Sequence, residues 1–177
     1  CTAALHLTYM AKKLQPGQEV IVPAMTHVAT AHAVEYCGAR PIFVDVEQDT
    51  GNIDPLQVEA ALGEKVAAIS VVHYLGLPCD MDRICELAQK SEKYVVEDCA
   101  LAVDATFGGR KVGSFGLAGC FSFYPVKHMT SIEGGMVTTN DEELAASISQ
   151  LKAFGYDRGL RERKEPGVYD VTELGYN

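Results

Sequence analysis

Two stretches decide the fold: Tyr94-Val95-Val96-Glu97-Asp98, and Cys120-Phe121-Ser122-Phe123-Tyr124-Pro125-Val126 with Lys127 behind it. Each is an apolar run of strand character that ends in a charge, a carboxylate in the first and an amine in the second. Near-continuous apolar strands belong to parallel sheets covered on both faces. Their carboxyl ends share one edge, and that edge is where open α/β folds bind ligands. Asp98 and Lys127 are therefore expected on a common rim.

Helix and strand signals alternate on either side of these runs. Thr2 reads as the N-cap of a helix through Leu14, stopped by Pro16-Gly17. Glu19 to Val22 is a short strand, Thr26 to Tyr36 a helix ended by Gly38, and Pro41 to Val46 a second strand. Asp54-Pro55 opens a short helix in the cap-then-proline order. Ala67 to His73 is a buried strand, and Asp80 caps a helix to about Ser91. Phe107 to Val112 suggests a hairpin, and Gly119 to Tyr124 and Gly135 to Thr139 complete the strands. Asp141 caps a last helix to about Phe154, and Tyr156 to Asp170 is a long polar loop. The alternation predicts one three-layer α/β/α domain with a mostly parallel sheet.

With 177 residues the chain is long enough for one full core, and 47% hydrophobic against 22% charged residues is ordinary for a soluble globular domain. A net charge of −9 argues against nucleic acid or an anionic membrane as partner. No apolar run approaches the roughly 20 residues that span a bilayer, and no signal peptide is visible. The six cysteines lack zinc or Cys-x-x-Cys spacing, which favours a reducing cytoplasm. The chain opens at Cys1-Thr2 inside a helical pattern and stops at Tyr176-Asn177 without a closing element, as an internal piece of a longer protein would.

Lys127 follows a strand of core character and precedes Glu133-Gly134-Gly135, where backbone can pass close to a ligand. Asp98 could hold a heterocyclic nitrogen protonated, or merely cap the segment after its strand. Thr2 and Ala3 begin a helix whose free N–H groups suit a phosphate, although an ordinary helix start is the commoner meaning. Ser122 could add a hydroxyl or be a neutral filler. His27, just after the first strand, could stack on a ring, and His73 carries the same ambiguity with a structural role. Arg158, Arg161, Arg163 and Lys164 form a basic cluster whose simplest explanation is solvation. An amine for an aldehyde, an acid for a ring nitrogen and donors for a phosphate are together what pyridoxal phosphate (PLP) requires.

The order of these segments resembles the DegT/DnrJ/EryC1/StrS sugar aminotransferases, members of the fold-type I PLP enzymes. The resemblance runs the whole length, through Thr2-Ala3-Ala4-Leu5, Pro16-Gly17-Gln18-Glu19-Val20-Ile21-Val22-Pro23, Thr26-His27-Val28-Ala29-Thr30, Val96-Glu97-Asp98, Phe121-Ser122-Phe123-Tyr124-Pro125-Val126-Lys127 and Glu133-Gly134-Gly135. It implies a partial PLP-binding large domain over 1–177, with an N-terminal segment and a C-terminal small domain lying outside. It further implies Lys127 as the Schiff-base lysine, Asp98 as partner of the pyridine nitrogen, and Ser122 with Thr2 and Ala3 as phosphate ligands. His27 takes the position of the stacking ring, and Asn177 that of an asparagine reaching the phosphate of a neighbouring subunit in a homodimer with shared sites. The implied activity moves an amino group, from glutamate, to a nucleotide-linked keto-sugar. The family's sugar dehydratases carry histidine at the lysine position, and His128 sits next door, so that branch is the alternative, as is a non-catalytic dimerising domain. Three departures stand out: Leu101 replaces a glutamine, and Asp104 and Ile132 each replace a glycine.

Overall fold

The computed structural model describes residues 1–157, 165 and 167–176. Its strands are β1 (Glu19–Pro23), β2 (Arg40–Val44), β3 (Val66–Val72), β4 (Tyr94–Asp98), β5 (Thr106–Phe107), β6 (Arg110–Lys111), β7 (Ala118–Ser122) and β8 (Gly135–Thr138). The helices are α1 (Thr2–Ala11), α2 (Val28–Glu35), α3 (Pro55–Ala61), α4 (Met81–Lys90) and α5 (Glu142–Leu151). Six strands make the central sheet in the order β2-β1-β3-β4-β7-β8, and β5 and β6 pair as the expected hairpin. The five strands from β2 to β7 in that order run parallel, and β8 lies antiparallel to β7 at the edge. This is the mostly parallel mixed sheet read from the sequence.

The period of two along each strand sorts the core into two faces. Ile21, Ile69, Val71 and Val95 pack with Met81, Ile84 and Leu87 of α4 and Val58 of α3. Val20, Val22, Ala68, Val96 and Cys120 face the other way, against Leu5 and Tyr9 of α1 and Ala33 and Val34 of α2. Leu144, Ile148 and Leu151 of α5 join Leu7 of α1 on that second side. Each large apolar side chain among these contributes roughly 1.5–3 kcal/mol on burial, so the register is firmly fixed. For function the consequence is direct. Glu97 continues the face of Val95, toward α4, and Asp98 continues the face of Val96, toward α1 and α2.

Element ends differ from expectation where local geometry intervenes. α1 stops at Ala11 because Lys13 turns left-handed (φ 54°), and Leu14 N–H then reaches Tyr9 O at 3.0 Å, which returns Leu14 to the core. Its N-cap is Cys1 and not Thr2. Asp54, Asp80 and Asp141 cap their helices as anticipated, each accepting a backbone N–H. β7 ends at Ser122, since its partner strand begins opposite it at Gly135. Two of the three departures have a conformational meaning: Asp104 (φ 66°) and Ile132 (φ 73°) both sit in the left-handed region that favours glycine. Lys111 Nζ compensates Asp104 with an ion pair of 2.5 Å. Ile132, β-branched and 79% exposed, has no comparable compensation. No helix among the described residues is long and apolar enough to cross a membrane. The basic cluster of the long loop lies outside the described residues.

Candidate active site

One cleft of about 1210 Å³ opens at the carboxyl edge of the sheet, and Asp98, Lys127, Ser122, Thr2, Ala3 and His27 all line it. The tertiary structure thus brings together every residue proposed from the sequence for the coenzyme site except Asn177, which lies outside the described residues. Asp98 closes β4, Ser122 closes β7, and Cys120, two residues before Ser122, is paired in register with Asp98. The same period of two therefore turns Asp98 and Ser122 onto the face of α1 and α2. Lys127 lies in the turn beyond β7, its N–H on Tyr124 O at 3.0 Å. His128, beside it, is not among the residues that border the cleft.

α1 points its N-terminus at the same space. Cys1 provides no side-chain cap, and its carbonyl takes the Leu5 N–H at 2.9 Å. The N–H groups of Thr2, Ala3 and Ala4 have no acceptor among the described residues, and the first turn carries no acidic side chain. Such a helix start is a site for an anion. The buried Ser122 hydroxyl lines the same cleft; its oxygen accepts the Tyr124 N–H at 3.4 Å.

Asp98 is 5% exposed. Its Oδ1 accepts the Ala100 N–H at 3.0 Å and lies 3.4 Å from the Cys1 sulfur, whose proton also has Cys120 O at 3.2 Å, and its Oδ2 accepts the Thr30 hydroxyl at 2.8 Å. Two firm donors and a sulfur contact leave acceptor capacity on a carboxylate with about four lone-pair positions. His27 is exposed on the cleft wall and caps α2, its Nδ1 accepting the Ala29 N–H at 3.2 Å, which places the ring proton on Nε2. Burial pushes the Cys120 thiol up to about 12, so the sulfur on this face is a packing atom and not a nucleophile.

His73 and Glu97 turn out to be structural. His73 Nδ1 accepts the Cys79 N–H at 3.1 Å, so its proton sits on Nε2, 3.1 Å from Glu97 Oε2. Glu97 also accepts N–H groups from Gly113 (2.7 Å), Phe115 (2.7 Å) and Gly116 (2.8 Å). Burial pushes the Glu97 carboxyl up, but the His73 hydrogen bond and the Gly116 and Gly113 donors outweigh it and hold the group below the usual carboxylate range. Gly113 is required in this cradle: φ is 82°, and a Cβ there would meet the Phe121 ring at 2.6 Å. His73, Glu97 and Cys99 cluster closely enough to suggest a metal site. The bonds already made by His73 and Glu97 leave that cluster no free imidazole or carboxylate lone pair. Thr30 and Cys1 are the site residues that sequence reasoning missed. Thr26-x-x-x-Thr30, one helical turn apart, was the available signal for the first.

The edge arrangement sets a helix N-terminus, a carboxylate and an amine around one cleft of an α/β domain. The chain belongs to the DegT/DnrJ/EryC1/StrS aminotransferase family, whose model matches residues 1–177. It is 46% identical over 160 residues to a GDP-perosamine synthase of Caulobacter vibrioides, covering 90% of this chain and 43% of the relative. It is 45% identical over 177 residues to the UDP-N-acetyl-3-dehydro-α-D-glucosamine 3-aminotransferase of Acidithiobacillus ferrooxidans, covering 99% of this chain and 46% of that enzyme. Among solved structures, Spr1654 of Streptococcus pneumoniae in its PLP form superposes with a TM-score of 0.89 at 32% identity, covering 99% of this chain and 48% of that one. The chain spans less than half the length of the curated relatives it matches.

Proposed function

We propose that this chain is the coenzyme-binding part of a PLP-dependent aminotransferase that moves an amino group, from glutamate, to a nucleotide-linked keto-sugar. The observation that carries this reading is the single cleft lined by Lys127, Asp98, Ser122 and the N-terminus of α1. The donor set fits the coenzyme. The unpartnered N–H groups of Thr2 and Ala3, with the Ser122 hydroxyl, would hold its phosphate. The remaining acceptor capacity of Asp98 would hold its ring nitrogen, and His27 is the wall residue suited to cover the ring. When bound, the coenzyme supplies an electron sink for the pair left behind as a proton departs. Lys127 Nζ would hold the coenzyme aldehyde, with loss of water, until the donor's amino group takes its place; the amine so freed would carry the proton away from the donor's α-carbon and, with the keto-sugar in place of the donor, move a proton in the opposite direction. The relatives named for GDP- and UDP-linked sugars support a nucleotide-sugar acceptor.

The reading includes a second copy of the chain over the mouth of the cleft. Val28, Tyr124, Val126, Met129, Ile132 and Met136 are exposed apolar residues on the segments around it, and such a patch is a mark of an interface. A homodimer would cover this patch, and Asn177 would reach the partner's site. Six free cysteines agree with a reducing, cytoplasmic setting.

Mixing the protein with PLP and scanning its absorbance tests the reading. The wild type is expected to give a visible band that Lys127→Ala removes and that glutamate bleaches. A spectrum indifferent to Lys127→Ala overturns the assignment, and a band that glutamate leaves untouched favours a non-catalytic domain.

A further inference from the structure

The two oxygens of Asp98 are not equivalent. Oδ1 takes the Ala100 N–H at 3.0 Å and also has the Cys1 sulfur against it at 3.4 Å, the one thiol proton having the nearer Cys120 O at 3.2 Å, whereas Oδ2 takes the Thr30 hydroxyl alone. Oδ2 is therefore the less crowded oxygen, with room for one more donor. Thr30 is fully buried, and its oxygen also lies 2.8 Å from Thr26 Oγ1. Thr30 has spent its only proton on Asp98, so Thr26 must be the donor in that contact. The Thr26 proton could otherwise go to His27 O, but that contact is longer, at 3.3 Å, and would leave two oxygen lone pairs facing each other at 2.8 Å.

We infer that Thr30, held by Thr26 in a hydroxyl relay, is a positioning residue that aims Asp98 Oδ2 at the nitrogen of the coenzyme ring. The inference rests on the proposed coenzyme reading of the cleft. Thr26, His27 and Thr30 all belong to the first turn of α2 and the segment leading into it, so one local structure sets both the ring wall and the carboxylate. A charge-assisted hydrogen bond is short and sensitive to alignment. With valine at 30 the volume is conserved, but Oδ2 loses its only fixed donor and the carboxylate is held through Oδ1 alone. Coenzyme affinity and the proton population on the ring nitrogen should both fall.

The test uses the whole protein as wild type, Thr30→Val, Thr30→Ser and Asp98→Ala, each checked for folding by circular dichroism. PLP affinity is measured by equilibrium dialysis, and the ring nitrogen is observed by NMR with 15N-labelled PLP. Thr30→Val is expected to bind PLP about tenfold more weakly, the value of one charge-assisted hydrogen bond, with the nitrogen signal moved toward the unprotonated position. Thr30→Ser should stay within about twofold of wild type because it keeps the hydroxyl. Thr30→Val that matches the wild type in both readouts overturns the inference. Asp98→Ala separates the two levels. If it binds PLP as well as wild type, the coenzyme reading fails and takes this inference with it. If it binds weakly while Thr30→Val does not, only the role of Thr30 falls. Should Thr30→Val not fold, Thr26→Val cuts the relay at a less buried position; the same direction of change is expected, and its absence overturns the proposal.

Discussion

Glu97 and Asp98 are neighbours on one strand, almost equally shielded from water, and opposite in the way their oxygens are used. Glu97 looks toward α4 and has four donors for its four lone pairs: His73 and the N–H groups of Gly113, Phe115 and Gly116. Asp98 looks toward α1 and α2, borders the cleft, and has two firm donors, the Thr30 hydroxyl and the Ala100 N–H, with a thiol at 3.4 Å whose proton also has Cys120 O. A saturated buried carboxylate ties the chain together and has nothing to offer a ligand. An unsaturated one at the wall of a cleft is poised for a partner. The comparison teaches that burial and charge do not separate a saturated acid from one with acceptor capacity to spare; the count of donors does.

Removing Glu97 should break this arrangement most severely. Glu97→Ala strands three backbone N–H groups and the His73 ring proton in the core, and a loss of about 4 kcal/mol is expected from urea unfolding. Asp98→Ala strands fewer donors beside a cleft that water can enter, so about 1–2 kcal/mol is expected in the same measurement. Equal losses for the two variants would erase the distinction between the two acids.

Acid should sharpen the contrast. The Glu97 carboxyl is held below its unfolded value, so between the two the unfolded chain binds more protons and stability rises with pH. Its contribution is fully present above the unfolded value of about 4.3 and is lost as pH falls through the folded one. Glu97→Gln should flatten the acid limb of a stability–pH curve below about pH 4, measured by urea midpoints. An unchanged acid limb would mean that other carboxylates dominate it.

The smallest expected effect lies in the loop that carries Lys127. Ile132 sits at φ 73°, where a β-branched residue is strained by about 1–2 kcal/mol. Ile132→Gly relieves that strain at some cost in chain entropy, and a net gain of about 0.5–1 kcal/mol, or about 2 °C in Tm, is expected. Asp104→Gly at φ 66° should give no such gain, because aspartate tolerates this region and Lys111 holds it.

Much of this was legible beforehand, for identifiable reasons. Asp54, Asp80 and Asp141 announced three helix starts because capping is local chemistry, satisfied within three residues. The apolar runs at Ala67 to His73 and Tyr94 to Asp98 announced buried parallel strands because their hydrophobicity is almost unbroken. The site residues were legible as strand ends and a helix start. What escaped were contacts between distant segments: Thr30 on Asp98, 68 residues apart, and Cys1 on the same carboxylate, 97 apart. His73 stayed ambiguous because only its partners Glu97 and Cys79, both brought to it by the fold, decide its tautomer and its role.

By itself, then, the sequence determined that the chain alternates strands and helices and which residues end the strands, since propensity, capping and hydrophobic period act over a few residues. Tertiary structure alone decided that Glu97 would be spent on the fold and which donors Asp98 would meet at the cleft. Alternate side chains of a strand meet different helices and loops, and the donors waiting there come from far along the chain.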